Sequence, residues 1–177
     1  MTGSMQADKQ ATIDACNEFV EGLKADPHTR DFLFSLAVFN SNIGLERIVD
    51  GVPLDRAPRL DHEHYQPTGA TPLYDAMWQS MDLMKAHQGQ VLFIVQTDGE
   101  ENSSRTATRQ QIVERVAEKT AAGWQFVYLG CDIDAMQQGG ELGIAAGNTM
   151  SYDRKHTGKA FATLTDSAAR YAVRGSK

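Results

Sequence analysis

The chain has 177 residues, 41% hydrophobic and 23% charged, with a net charge of −6. That composition fits one ordinary globular domain, large enough to bury a single sizeable core. The acidic balance excludes a general nucleic-acid binder, which needs a basic footprint, and no run approaches the roughly 18 apolar residues of a membrane span.

The hydrophobic period alternates between helix and strand along the chain. Ile13, Cys16, Phe19, Val20 and Leu23 recur at helical spacing and predict a helix from about Met5 to Lys24. The compact run Phe32 to Phe39 predicts a buried strand, and Glu46 to Val49 a weaker antiparallel partner at a sheet edge. From Gly51 to Gly69 the chain holds three of its five prolines and two of its five histidines, which reads as loop. TPLYDAMWQSMDLMKAH then carries Leu73, Met77, Met81 and Met84 on one helical face, with Thr71 able to cap and Pro72 suited to the first turn.

Val91 to Val95 is an uninterrupted apolar run, too short for a helix before Asp98-Gly99, and predicts a central strand buried on both faces. Thr108 to Ala122 returns to helix, QFVYLG is a further strand, and the Gly-rich QQGGELGIAAG allows at most a short helix. NTMSYD predicts a last short strand, and Thr157 to Arg174 a closing helix. Strands separated by helices imply an α/β domain: a mostly parallel sheet with helices on both faces and one antiparallel edge strand. The N-terminus lacks the basic start and apolar core of a signal peptide. Cys16 and Cys131, far apart and in no C-x-x-C, predict reduced thiols and a cytoplasmic setting.

Three polar clusters fall where such a sheet gathers ligands, past the carboxyl ends of strands. They are Thr2-Gly3-Ser4, Gly69-Ala70-Thr71 and Thr97-Asp98-Gly99. Hydroxyls and a carboxylate are hard oxygen donors, suited to Mg²⁺ or Mn²⁺ and poorly to zinc. An under-neutralised cation of this kind attracts a carboxylate from outside. Asp61-His62-Glu63-His64 is a weak match to zinc spacings. Glu100 and Glu101 read as a solvated acidic loop.

TGSM before a helix, PTGATPLYDAM and VLFIVQTDGEEN together resemble the three motif segments of von Willebrand factor A (vWA) domains. Their metal-ion-dependent adhesion site (MIDAS) reads D-x-[ST]-x-S, a Thr in G-x-T-P-L, and an Asp in T-D-G. The resemblance implies a three-layer, Rossmann-like domain over residues 1–177, with metal ligands at Thr2, Ser4, Thr71 and Asp98. It implies a non-enzymatic module that binds a protein partner's acidic side chain through Mg²⁺ (or Mn²⁺), with an AAA-type ATPase as one possible partner. No membrane or nucleic acid enters that picture.

The pattern departs at one place. The first Asp belongs immediately before Met1, after an apolar strand that in the family lies between the strands assigned here to Phe32–Phe39 and Val91–Val95. Losing five or six buried residues would cost about 10 kcal/mol, against a whole-domain stability of about 5–15 kcal/mol. The expectation is a chain N-terminally truncated relative to the family, with the true start upstream. Closure of the two flanking strands, or a strand supplied by another chain, are the alternatives. Two other functions stay open: a Mg²⁺-dependent phosphoryl-transfer or hydrolase enzyme, and a truncated relative that no longer binds metal. Against the enzyme, the sequence has no G-x-x-x-x-G-K-[ST] loop and no G-x-S-x-G elbow.

Overall fold

The computed structural model describes residues 9–87 and 89–175. In chain order these form α1 (Lys9–Ala25), β1 (Leu33–Asn40), β2 (Gly44–Pro53), α2 (Leu73–Leu83) and β3 (Leu92–Thr97). Then follow α3 (Arg109–Ala121), β4 (Gln125–Cys131), α4 (Ala135–Glu141), β5 (Thr149–Tyr152) and α5 (Thr157–Gly175). Every helix and strand expected from the hydrophobic period is present, with small shifts at the ends. The part of the first helix expected at residues 5–8 lies outside the described residues.

The strands form two sheets, an antiparallel pair β1-β2 and a parallel trio β3-β4-β5. The hairpin pairs Asn40 with Gly44 at its tight end and Leu33 with Pro53 at its open end. In the trio, Leu92 to Thr97 run in register with Gln125 to Gly130, and Tyr128 to Cys131 with Thr149 to Tyr152. The fold is thus mixed α/β, with helices against both faces of β4. Val127, Leu129 and Cys131 join a core with Phe19, Leu23, Phe161 and Leu164 from α1 and α5. Phe126 and Tyr128, on the opposite face, join Leu73, Met77, Ile112 and Val116 from α2 and α3. This is the two-residue alternation of a strand buried on both sides.

β3 behaves differently. Its sequence predicts a central strand, but it lies at the edge of the trio, and Leu92, Phe93 and Ile94 are only half buried. The reason is a slot of about 720 Å³ between β3 and β1, lined by residues of both strands. Among the described residues β1 and β3 are not paired with each other.

Local signals set the helix ends. Thr108 and Gln111 form a reciprocal capping box at the start of α3. At Gly22 a Cβ would come 2.8 Å from Thr165 Cγ2, so the glycine lets α1 and α5 approach closely. The segment between β2 and α2, expected as plain loop, buries Leu54, Ala57, Leu60 and Tyr65. Asn17 of α1 fastens it. Its side-chain amide donates to Leu60 O at 2.9 Å, and its Oδ1 accepts from Leu60 N at 2.8 Å.

That buried two-way bond leads to a prediction. Asn17→Leu leaves both main-chain groups of Leu60 unpaired in a buried place, and should cost about 2–4 kcal/mol of stability. Urea unfolding checks it; a loss below about 0.5 kcal/mol would contradict the clamp.

Candidate metal centre at the carboxyl rim

β1 and β3 deliver their carboxyl ends to one rim. Past β1, Ser41 N donates to Ala70 O at 3.0 Å, and Ala70 N donates to Ser41 Oγ at 2.8 Å. These bonds hold the turn before α2, where Gly69 takes φ +73°, a left-handed conformation that favours glycine. A Cβ there would also sit 2.7 Å from Ser41 Oγ. Past β3, the loop carrying Asp98 returns to the same turn. Thr71 N donates to Asn102 Oδ1 at 2.9 Å, and Asn102 N donates to Thr71 O at 3.2 Å.

Of the four expected ligands, Thr71 and Asp98 are therefore on one rim, joined through a residue four positions after Asp98. Thr2 and Ser4 lie outside the described residues. Thr71 is 1% exposed and Asp98 7%. Thr97 is folded onto its own loop, its Oγ1 donating to Gly99 O at 2.9 Å.

Thr71 is not the helix cap its sequence position suggests. α2 starts after Pro72 with no side-chain cap bond from that position. Its first amides are instead met from the neighbouring loop: Tyr74 N donates to Glu101 Oε2 at 2.9 Å, and Asp75 N to Ser104 Oγ at 3.0 Å. α2 is thus entered at Pro72, and its first amides at Tyr74 and Asp75 do not rely on the Thr71 hydroxyl.

Glu101 is the residue that sequence reasoning misplaced. Rather than a solvated acid, it is the hub of the loop. Its Oε1 accepts from Ser103 N at 2.9 Å and Ser104 N at 2.7 Å, and its Oε2 from Ser104 Oγ at 2.7 Å. Its charge also faces the positive end of the α2 dipole. Asp75 answers from α2, its carboxylate accepting from Arg105 N, Thr106 N, Thr106 Oγ1 and Ala107 N. The two carboxylates lace α2 and the Asp98 loop into one unit. An Asp in T-P-L-x-D and a Glu in T-D-G-x-E were the available signals, but pairing them needs the fold.

Tyr65, also unremarked in the sequence, is buried beneath the rim. Burial pushes its hydroxyl pKa far up, and the nearby charge of Asp98 adds to the shift. Burial likewise pushes the Cys16 thiol up to about 11, which keeps it inert. Neither cysteine is in a disulfide. Asp61 to His64 is a local turn. Asp61 Oδ1 accepts from Glu63 N and His64 N, both at 3.0 Å, and pairs with His64 Nδ1 at 2.8 Å. His62 instead meets Gln10 Oε1 through Nε2 at 2.6 Å.

Among the described residues no three His, Cys, Asp or Glu side chains gather into a metal cage. Thr71 and Asp98 offer another chemistry, hard oxygen of mixed charge, which fits Mg²⁺ or Mn²⁺. In the same loop Ser103 Oγ is buried without a hydrogen-bond partner among the described residues. A buried hydroxyl of that kind is commonly satisfied by water or an ion.

No family model matches the chain, and no curated protein does. Among solved structures the chain is similar to proximal thread matrix protein 1 from the mussel byssus, with a TM-score of 0.67 at 13% identity. The match covers 95% of this chain and 45% of that one. At that identity the likeness shows the fold alone, and the chain spans under half the length of the mussel protein.

Asp75 gives the rim a pH dependence. Burial alone would raise its pKa, but the Thr106 hydroxyl and the amides of Arg105, Ala107 and Thr106 outweigh it, leaving the carboxyl below its ordinary range. Its stabilising contribution is complete above the unfolded value of about 4 and is lost as pH falls through the lower folded value. Asp75→Asn should cost about 1–2 kcal/mol at pH 7, and its gap to the parent chain should narrow below about pH 4. Urea unfolding at both pH values checks this; a gap that does not change with pH contradicts it.

Proposed function

We propose that this chain is a vWA-type, metal-ion-assisted protein-interaction module, with Thr71 and Asp98 holding Mg²⁺ (or Mn²⁺) together with Thr2 and Ser4. The observation that carries this reading is the buried Thr71–Asp98 rim, where the Thr71 hydroxyl is not spent on capping α2. The ion would supply an open coordination position for a carboxylate from a protein partner. Asp98 supplies charge, and the hydroxyls supply neutral oxygen that leaves the ion electrophilic.

The donor set supports binding rather than catalysis. Asp75 and Glu101 are saturated with hydrogen bonds from their own loop. Neither is poised as a general base. We further propose a three-layer Rossmann-like arrangement, a cytoplasmic setting and a protein partner, an AAA-type ATPase being one class. Among the described residues no helix is long and apolar enough to cross a membrane.

Titration calorimetry with Mg²⁺ and Mn²⁺ tests the reading. The parent chain should bind either ion, while Thr71→Ala should weaken binding by about 10-fold, the scale of one lost ligand contact. Asp98→Ala should abolish it. Equal heats from the parent chain and Asp98→Ala, or no heat from the parent chain, would overturn the proposal. Turnover of a generic phosphate ester, abolished by Asp98→Ala, would replace it with an enzyme.

A further inference from the structure

Two successive residues of the rim are held by two different loops. Thr71 gives both of its main-chain groups to Asn102, in the loop that follows Asp98. Ala70, one residue earlier, gives both of its own to Ser41: Ser41 N donates to Ala70 O at 3.0 Å, and Ala70 N donates to Ser41 Oγ at 2.8 Å. Residues 70 and 71 therefore splice the turn of the β1-β2 hairpin to the loop after β3. Among the described residues the hairpin and the β3-β4-β5 trio share no strand pairing, so this splice joins two separate sheets at their carboxyl rim.

The turn that carries Ser41 is itself shaped in advance. Asn40 is buried, and its Oδ1 accepts from Asn42 N at 2.8 Å and from Ile43 N at 3.0 Å. The side-chain amides of Asn40 and Asn42 both reach Thr68 Oγ1, each at 3.4 Å, just ahead of Gly69. A Cβ at Gly69 would meet Asn42 Nδ2 at 3.0 Å as well as Ser41 Oγ, so turn and chain lie in close contact. A hydroxyl on a locked turn fixes its partner more closely than one on a free loop. The bond from Ala70 N to Ser41 Oγ is exposed, and a single hydrogen bond of that kind adds only modestly to stability. The Ser41 hydroxyl thus bears on placement more than on holding the fold together.

We propose that Ser41 is a positioning residue for Thr71: its hydroxyl ties the β1-β2 hairpin to the chain that carries the ligand, and ion affinity at the rim depends on that tie. This role rests on the metal-ion reading of Thr71 and Asp98. Ser41 touches no ion itself; it acts through the backbone of Ala70. With both loops attached, Thr71 is placed from the hairpin and from the Asp98 side together. Without the Ser41 hydroxyl it is placed from the Asp98 side alone, and its distance to Asp98 becomes less defined. A displacement of the hairpin would likewise be passed to Thr71, which makes the hairpin a control on the site. Removing a group that orients a metal ligand commonly lowers metal affinity by about 10–100-fold.

Calorimetry with Mg²⁺ compares the parent chain with Ser41→Ala and Ser41→Thr, beside urea unfolding and amide exchange of each in EDTA. Ser41→Ala should weaken Mg²⁺ binding by about 10-fold, while its urea midpoint in EDTA stays near the parent's. Its amides at Ala70 and Thr71 should both exchange about tenfold faster, although Thr71 N is bonded to Asn102 and not to Ser41. Ser41→Thr keeps the hydroxyl and should restore affinity and exchange alike. Parent-like Mg²⁺ affinity in Ser41→Ala, or an equal loss in Ser41→Thr, would overturn the positioning role. No heat from the parent chain would overturn the metal reading instead. Exchange in EDTA then still decides the tie, and unchanged exchange at Thr71 in Ser41→Ala would overturn it.

Discussion

Pairing on both edges of β4 is the constraint from which the rest of the molecule is arranged. Its backbone is taken up by β3 on one side and β5 on the other. Its side chains alternate between two cores, one built with α1 and α5 and the other with α2 and α3. A strand so enclosed cannot shift register by one residue without turning each core's side chains toward the other. β3 shares that order on one edge only, because its other edge faces the slot. Hence Leu129 and Tyr128 of β4 are wholly buried while Phe93 and Ile94 of β3 are not.

The rim is held by a different physics. Two carboxylates fasten the Asp98 loop to α2, each collecting several backbone amides. Charged acceptors make stronger hydrogen bonds than neutral ones. Glu101 also answers the unmet amides at the start of α2, so one side chain both closes a loop and caps a helix. This division leaves Thr71 with its main chain bonded both ways to Asn102 and outside the cap position of α2. A backbone held in this way is the preorganisation a ligand site needs.

Elements with a strong period were legible in the sequence, and relations between elements were not. Ile112 and Val116 announce α3 and its buried face by spacing alone, and Thr108 with Gln111 marks its start. Thr71 and Asp98 were legible as rim residues because one lies at the turn before a helix and the other at the turn after a strand. Glu101 was not, since its partners Tyr74 and Ser104 lie 27 positions before and three after it. Tyr65 and Leu60 hid inside a Pro- and His-rich stretch, where burial depends on Asn17, 43 residues away. The apolar run of β3 is the instructive difference. Its composition is that of a strand covered on all sides, and the slot shows which side the described chain leaves uncovered.

The slot and the rim meet at Thr97 and Asp98, which line the first and belong to the second. Asp98 follows a strand paired on one edge only, whereas Gly130 stands on a strand paired on both. Ligand groups gathered from separate segments hold an ion well only when their mutual distances are fixed within a few tenths of an ångström. On this argument the spacing of Thr71 and Asp98 is set jointly by β3, which carries Asp98, and by the Glu101 and Asp75 bonds that hold its loop to α2.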